Sequence, residues 1–186
     1  MARVSHAGGT LGRMAAVPVP VSEREIDDRR RLGIDSLDER WAGEWRLVNP
    51  PKLWHVLLNS ALYEALAPPA RDRGLLTAGD ACGLFGADDD WRVPDQTYAR
   101  PEDAREEGFV SAELVVEIRS PGDDSYRKLP FYAARGVREV LVVHRDRRAE
   151  LYRRSAEGEM VAVAPAWSDV LDVDLGAVLA GLPADR

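Results

Sequence analysis

A strand–helix–strand pattern over residues 113–144 constrains the fold of this chain more than any other feature of its sequence. The run Glu113 to Ile118 (ELVVEI) is apolar enough for a strand at the centre of a sheet, and Val137 to His144 predicts a second buried strand. Between them, Ser125 to Arg135 is predicted to be a helix despite Pro130. A right-handed crossover makes two such strands parallel, so the pattern indicates an α/β protein.

Helical segments on either side of this unit would cover the sheet. The predicted segments are Ser22 to Leu32 with a Ser22/Glu25 capping box, a further turn at Asp35 to Trp41, the amphipathic run Leu53 to Leu66 ended by Pro68-Pro69, and Leu175 to Leu182.

Further strands are predicted at Gly43 to Val48, Leu75 to Phe85, Trp91 to Ala99, Ala149 to Arg153 and Met160 to Ala164. Pro94 would place the third of these at an edge or bulge. Several neighbouring strands are joined by short turns, which predicts hairpins added to a mixed sheet with helices packed on it.

The length of 186 residues suits one domain, predicted over 22–186, after a flexible tail over 1–21. The sequence contains no apolar run long enough for a transmembrane helix, and its start does not resemble a signal peptide. The single cysteine, Cys82, can form no internal disulfide. These features together predict a cytoplasmic protein without a membrane partner.

The charge balance gives a mixed indication about nucleic acid. The net charge of −7 opposes DNA binding. However, residues 126–154 carry nine basic and three acidic side chains, a local balance of +6, which a solvated mixed surface would explain equally well.

Lysine is scarce in this sequence. Of 25 basic residues, all but Lys52 and Lys128 are arginine. Since arginine serves wherever a generic cation is sufficient, a remaining lysine suggests that its ammonium group matters.

Three residues form a candidate metal-dependent site. Asp95 follows a turn at a strand edge, Glu117 lies near the end of the most apolar strand, and Lys128 follows eleven residues later. Two carboxylates and a main-chain carbonyl make a hard oxygen site for Mg²⁺, and a lysine nearby can stabilise developing negative charge. Each residue also has an ordinary explanation: an ion pair of Glu117 with arginine, a turn for Asp95, and a solvated helix position for Lys128.

At these residues the sequence resembles the bacterial putative restriction endonuclease family of the PD-(D/E)xK nuclease superfamily. The resemblance rests on WRVPD (91–95), AELVVEIRSPGDDSYRKLPFYAARGVREVLVV (112–143) and WAGEWRLVNPP (41–51), and covers roughly residues 29–154. It implies a restriction-endonuclease-like mixed β-sheet flanked by helices, and a Mg²⁺- or Mn²⁺-dependent endonuclease that hydrolyses DNA.

The same resemblance implies roles for particular residues. Asp95 and Glu117 would be the acidic pair, the carbonyl of Ile118 a further metal ligand, and Lys128 the lysine supplied by the following helix. The usual lysine two residues after the glutamate is Arg119 here, which could bind phosphate but is a poor general base.

Additional candidates are Glu44, as an upstream acidic residue that completes the metal site, and His55, Tyr132 and Arg119. Their alternatives are an exposed strand residue for Glu44, a structural helix histidine for His55 and a core aromatic for Tyr132.

Two hypotheses follow. One is a metal-dependent endodeoxyribonuclease, for which a homodimer is plausible because enzymes that cut both strands commonly pair two sites and symmetric dimers are the commonest oligomers. The other is a catalytically inactive interaction or regulatory protein on a nuclease fold, since fold does not imply function.

Overall fold

The computed structural model describes residues 21–79, 82–120, 122 and 124–183. The predicted tail over residues 1–21 therefore lies, apart from Val21, outside the described residues. The helices are α1 (Glu23–Leu32), α2 (Leu53–Asp72), α3 (Leu129–Ala134) and α4 (Leu175–Gly181), with short 3-10 helices at Pro101–Asp103 and Ser125–Lys128. The strands are β1 (Glu39–Trp41), β2 (Glu44–Arg46), β3 (Leu76–Ala78), β4 (Gly83–Phe85), β5 (Trp91–Arg92), β6 (Gln96–Ala99), β7 (Gly108–Phe109), β8 (Leu114–Ile118), β9 (Glu139–Val143), β10 (Ala149–Arg154), β11 (Met160–Val163), β12 (Trp167–Ser168) and β13 (Val173–Asp174).

A six-stranded mixed sheet forms the centre of the fold, in the order β11-β10-β9-β8-β6-β3. The central pair β8 and β9 is parallel, with Val116 opposite Leu141, and the other pairs are antiparallel. Every residue of β8 and β9 is buried. The α/β class and the parallel central pair are thus as predicted.

Helices cover both faces of this sheet. On one face, α2 and α4 pack against Leu114, Val116, Ile118 and Leu141. On the other face, α3 packs against the strand residues that point the opposite way, among them Val115. Side chains alternate along a strand, so β8 and β9 contribute side chains to the hydrophobic core on each face of the sheet.

A smaller five-stranded sheet, in the order β2-β1-β5-β4-β7, adds the predicted hairpin character. Its β1–β2 hairpin turns through Ala42 and Gly43, which have φ of 48° and 89°. Two positive φ values are what a tight two-residue hairpin requires. The extra helical turn expected over 35–41 is therefore wrong, because Glu39 to Trp41 pair as a strand.

The chain passes from the small sheet to the large one at Pro94. We expected one strand over 91–99, but β5 belongs to the small sheet, and β6 lies inside the large sheet between β8 and β3. Proline has no N–H to donate to a ladder, so the break falls where it stands. The strand expected over 75–85 is likewise divided, into β3 of the large sheet and β4 of the small one.

The second helix continues past the point where the sequence predicted its end. It includes Pro68 and Pro69 in its last turn and ends at Asp72. Ala67 and Ala70 are buried there, so packing holds a turn that lacks two N–H donors. In the described part of the chain, no helix has the length and apolar character to cross a membrane.

Candidate functional site

Glu117 and Lys128 meet at the carboxyl end of β8. The Lys128 Nζ lies 3.1 Å from each carboxylate oxygen of Glu117. The same Nζ lies 2.8 Å from Oε1 of Glu39. The hydroxyl of Tyr132, from α3, donates a short hydrogen bond to Oε1 of Glu117. We call these four residues the Lys128 cluster.

Local structure explains how Lys128 reaches this position. It is the last residue of the 3-10 helix Ser125–Lys128 and directly precedes α3. Proline is favoured in the first turn of a helix, and Pro130 stands there. Tyr132 follows Lys128 by four residues, so both side chains lie on the face that covers Glu117.

Glu39 is the acidic residue that the sequence analysis missed. Its Oε2 accepts a hydrogen bond from Trp41 Nε1 at 2.7 Å, and its Oε1 accepts one from the backbone N–H of Val93 at 2.9 Å. Its residue exposure is 3%. The residues around it, DERW over 38–41, do not alternate between apolar and polar, and residues 35–41 were interpreted as a helical turn.

Glu44, the upstream acidic residue proposed for the metal site, lies elsewhere. Its side chain is 73% exposed and pairs with Arg46 at 3.3 Å. In the hairpin Glu44 lies opposite Trp41, next to the turn, whereas Glu39 lies opposite Arg46, and it is Glu39 that contacts Lys128.

Asp95 lies beside the carboxyl end of β8, on the side of the sheet that faces α2. Its Oδ2 accepts a hydrogen bond from the Ile118 N–H at 2.6 Å. The Nε2 of His55 lies 3.3 Å from Asp95 Oδ1 and 3.1 Å from the Ile118 carbonyl oxygen. Asn59 Nδ2 donates to the Asp95 carbonyl at 3.4 Å. We call Asp95, Ile118 and His55 the Asp95 edge.

Electrostatics link the Asp95 edge to the Lys128 cluster. Burial is the largest influence on Glu117 and raises its pKa to about 7, with Asp95 and Glu39 acting in the same direction and Lys128 opposing them. Two buried carboxylates, those of Glu117 and Glu39, thus contact one ammonium group, and the Asp95 carboxylate adds its negative charge from beside the Ile118 N–H. A buried excess of negative charge is costly, and a bound cation would relieve it.

Lys128 and Tyr132 both retain their protons. Burial lowers the pKa of Lys128, but Glu117 and Glu39 raise it by more, so the net change is upward. Burial and the neighbouring Glu117 carboxylate raise the pKa of Tyr132 well above its usual range. Both groups are therefore hydrogen-bond donors here rather than bases.

The donor set fits a hard divalent cation. Asp95 and Glu117 supply carboxylate oxygens and Ile118 a main-chain carbonyl, held close by the hydrogen bond between Ile118 and Asp95. Among the described residues, no three His, Cys, Asp or Glu side chains are grouped as a metal site by themselves. Mg²⁺ does not need such a group, because it binds through one or two carboxylates and keeps several waters.

Arg119 continues the strand beyond Glu117. Its N–H donates to Val143 O at 2.8 Å, which extends the parallel ladder. Its guanidinium lies over the Tyr126 ring, 4.6 Å from the centroid. The structure brings Asp95, Glu117, Lys128, Tyr132, His55 and Ile118 together in one region, with Arg119 beside it and Glu44 outside it.

The fold is that of a mixed α/β protein with a central sheet flanked by helices, and the buried carboxylates of Glu39 and Glu117 meet at the carboxyl end of the central strand. A crystal structure described as a putative nuclease belonging to DUF820, from Anabaena variabilis ATCC 29413, matches with a TM-score of 0.59 and 15% sequence identity, over 77% of this chain and 89% of that chain. Residues 37–179 match the family described as "Putative restriction endonuclease" (Uma2), and the chain belongs to that family. A search of curated proteins found no match.

Proposed function

We propose that this protein is a metal-dependent endonuclease that hydrolyses phosphodiester bonds of DNA, with Asp95, Glu117 and Lys128 as its catalytic residues. One observation carries the proposal. The buried carboxylates of Glu39 and Glu117 contact a single ammonium group, that of Lys128, at the carboxyl end of a central strand, and the Asp95 carboxylate accepts the N–H of the next residue, Ile118. That end of a sheet is where ligands of open α/β proteins bind.

Asp95, Glu117 and the Ile118 carbonyl would hold Mg²⁺ or Mn²⁺. When bound, such an ion polarises a phosphoryl oxygen and lowers the pKa of an attacking water. The protein's own contribution is to fix these oxygens, since His55 and the Ile118 N–H hold the Asp95 carboxylate from two sides.

Lys128 acts as a donor in this proposal. Its raised pKa keeps the ammonium protonated, so it orients a water or stabilises negative charge that develops on the phosphate. Tyr132 keeps Glu117 oriented through its hydroxyl. Glu39 holds Lys128 from the other side and so positions it.

The remaining parts of the proposal concern partners and setting. DNA is the proposed substrate because the family is described as restriction endonuclease. We propose a cytoplasmic enzyme, and a homodimer where both strands of a duplex are cut, since two sites are then needed.

The test combines calorimetry with a nicking assay. Mg²⁺ and Mn²⁺ are titrated into wild type, Glu117→Ala and the exposed control Glu44→Ala, and each protein is then incubated with supercoiled and single-stranded DNA. We expect metal binding and metal-dependent cleavage by wild type and Glu44→Ala, and neither by Glu117→Ala. Circular dichroism of each variant checks that the fold is retained.

Cleavage by Glu117→Ala at the wild-type rate would contradict the proposed site. Failure of wild type to bind either ion at millimolar concentration would contradict the metal-dependent enzyme. It would favour the alternative of an inactive interaction or regulatory protein, in which Glu117 is only the buried partner of Lys128.

A further inference from the structure

An open pocket of about 560 Å³ lies directly beyond the carboxyl ends of β8 and β9. Its lining comes from the two segments that follow these strands and consists of Arg119, Ser120, His144, Arg145 and Asp146. Arg119 follows Glu117 by two residues, which is about 7 Å along an extended chain. The pocket therefore lies next to the Lys128 cluster and the Asp95 edge and shares no residue with either.

Two arginines of the pocket have their guanidinium groups over aromatic rings. Arg119 lies 4.6 Å from the ring centroid of Tyr126, and Arg145 lies 5.2 Å from that of Trp54. Contact with an aromatic ring restricts the positions that a guanidinium group samples. Less conformational freedom is then lost when the planar fork binds two oxygens of one phosphate.

The acidic groups near the pocket are already engaged. Glu150 accepts hydrogen bonds from Tyr126 at 2.7 Å and from Arg148, and its Oε1 lies 3.0 Å from His144 Nε2. Burial raises the pKa of Glu150, but these hydrogen bonds outweigh burial and bring it to about 2. Asp146 accepts from the Arg148 N–H at 3.2 Å within its turn. The pocket is therefore suited to an anion.

We infer that this pocket binds a phosphate group of the nucleic-acid strand, one nucleotide away from the phosphate that is cleaved. The inference rests on the proposed function for the cleavage at Glu117. Its own content is the ligand class: a phosphodiester held by Arg119 and Arg145, which fixes the direction in which the strand crosses the site. The same chemistry would admit free inorganic phosphate, and the experiment separates these two sources.

The experiment measures binding without catalysis. Anisotropy of a short fluorescein-labelled single-stranded oligonucleotide is recorded in EDTA with wild type, Arg145→Ala and Arg24→Ala. Arg24 is the matched control, because its side chain is 92% exposed on α1. We expect Arg145→Ala to weaken binding about tenfold and to lower the slope of log K against log salt by about one. Arg24→Ala should stay within about twofold of wild type.

Two results would overturn the inference. Equal weakening by Arg145→Ala and Arg24→Ala would show that only general surface charge matters. Calorimetric binding of inorganic phosphate as tight as that of the oligonucleotide, and equally dependent on Arg145, would show a free-anion site rather than a strand subsite.

The outcome is independent of the proposed function. If wild type binds the oligonucleotide through Arg145 but cleaves no DNA with Mg²⁺, the phosphate pocket is supported and the proposed enzyme activity is contradicted. If wild type and Arg145→Ala both cleave DNA with the same KM, the enzyme activity is supported and the phosphate pocket is contradicted.

Discussion

Two buried glutamates on neighbouring parallel strands, Glu117 on β8 and Glu139 on β9, have opposite surroundings. Glu139 is 1% exposed, and its carboxylate accepts hydrogen bonds from Arg153, from the Ser168 hydroxyl at 2.6 Å and from the Asp169 N–H at 2.9 Å. Glu117 instead shares one ammonium group with other carboxylates and has a raised pKa.

The two residues also lie at opposite ends of the strand pair. Glu139 aligns with Leu114 at the start of β8, and Glu117 aligns with Val142 near the end of β9. Burial of a carboxylate is therefore no indication of function by itself. The neighbouring charges decide, because Glu139 is paired with an arginine, whereas Glu117 accepts hydrogen bonds from Lys128 and Tyr132 but shares that ammonium group with Glu39.

Exchanging each glutamate for glutamine gives the largest expected effects and separates the two roles. Glu117→Gln should lower DNA cleavage by about 1000-fold through loss of a charged metal ligand, with little loss of stability. Glu139→Gln should lower the free energy of unfolding by about 3–5 kcal/mol, because Arg153 loses its buried partner. Urea unfolding and nicking rates are measured on both.

The contrast between Glu117 and Glu139 would be contradicted if each variant gave the result expected of the other. Strong destabilisation by Glu117→Gln with normal cleavage per folded molecule would make the Lys128 cluster structural.

Lys128→Met tests the Lys128 cluster by removing its ammonium group. The change leaves Glu39 and Glu117 buried without an ammonium group, and should destabilise the protein by about 3 kcal/mol at neutral pH. Mg²⁺ should then raise the melting temperature of Lys128→Met by more than that of wild type, because the ion supplies the missing charge. Thermal unfolding with Mg²⁺ or EDTA measures this, and an equal shift in both proteins would contradict it.

Glu39→Gln against Glu44→Gln tests which upstream acidic residue belongs to the site. Glu39 contacts Lys128, whereas the Glu44 side chain is exposed. We expect about a tenfold fall in kcat for Glu39→Gln, since a misplaced lysine stabilises the transition state less well, and a change of less than about twofold for Glu44→Gln. Steady-state cleavage of a plasmid measures both variants. A larger fall in kcat for Glu44→Gln than for Glu39→Gln would assign the upstream acidic role to Glu44.

Glu150→Gln should give the smallest effect and extends the comparison to a partly exposed carboxylate. The pKa of Glu150 is lowered from 4.5 to about 2, so its charge stabilises the fold fully above pH 4.5, and that stabilisation is lost as the pH falls towards 2. Stability of Glu150→Gln should therefore be lower at pH 7 and should change less between pH 4.5 and 2. Urea unfolding across this range checks it; parallel curves for both proteins would contradict it.

The elements with strong local patterns were predictable from the sequence. The capping box of Ser22 and the apolar runs of β8 and β9 gave the right elements, and the parallel central pair followed from the helix between them. The division of residues 91–99 between two sheets was not predictable, because it depends on partners far along the chain. The two-residue strands β7, β12 and β13 have too few side chains for any period.

Candidate site residues were predictable where a residue type was unusual for its position or rare in the sequence. A glutamate in an apolar strand and one of two lysines identified Glu117 and Lys128. Glu39 was missed because its contact with Lys128 joins residues 89 positions apart, and a three-residue strand carries little signal. Glu44 was favoured because it matches an upstream acidic position of the family that the sequence resembles, but it lies at the turn end of the hairpin with an exposed side chain.

The contact between Glu39 and Lys128 ties the folding of one layer of the protein to that of the other. Glu39 belongs to the small sheet, while Lys128 leads into the helix that covers the large one, so the pair joins the two layers. Replacing Lys128 leaves two buried carboxylates without a cation, and replacing Glu39 as well still leaves Glu117. A variant that no longer cleaves DNA would therefore still need this ammonium group in order to fold.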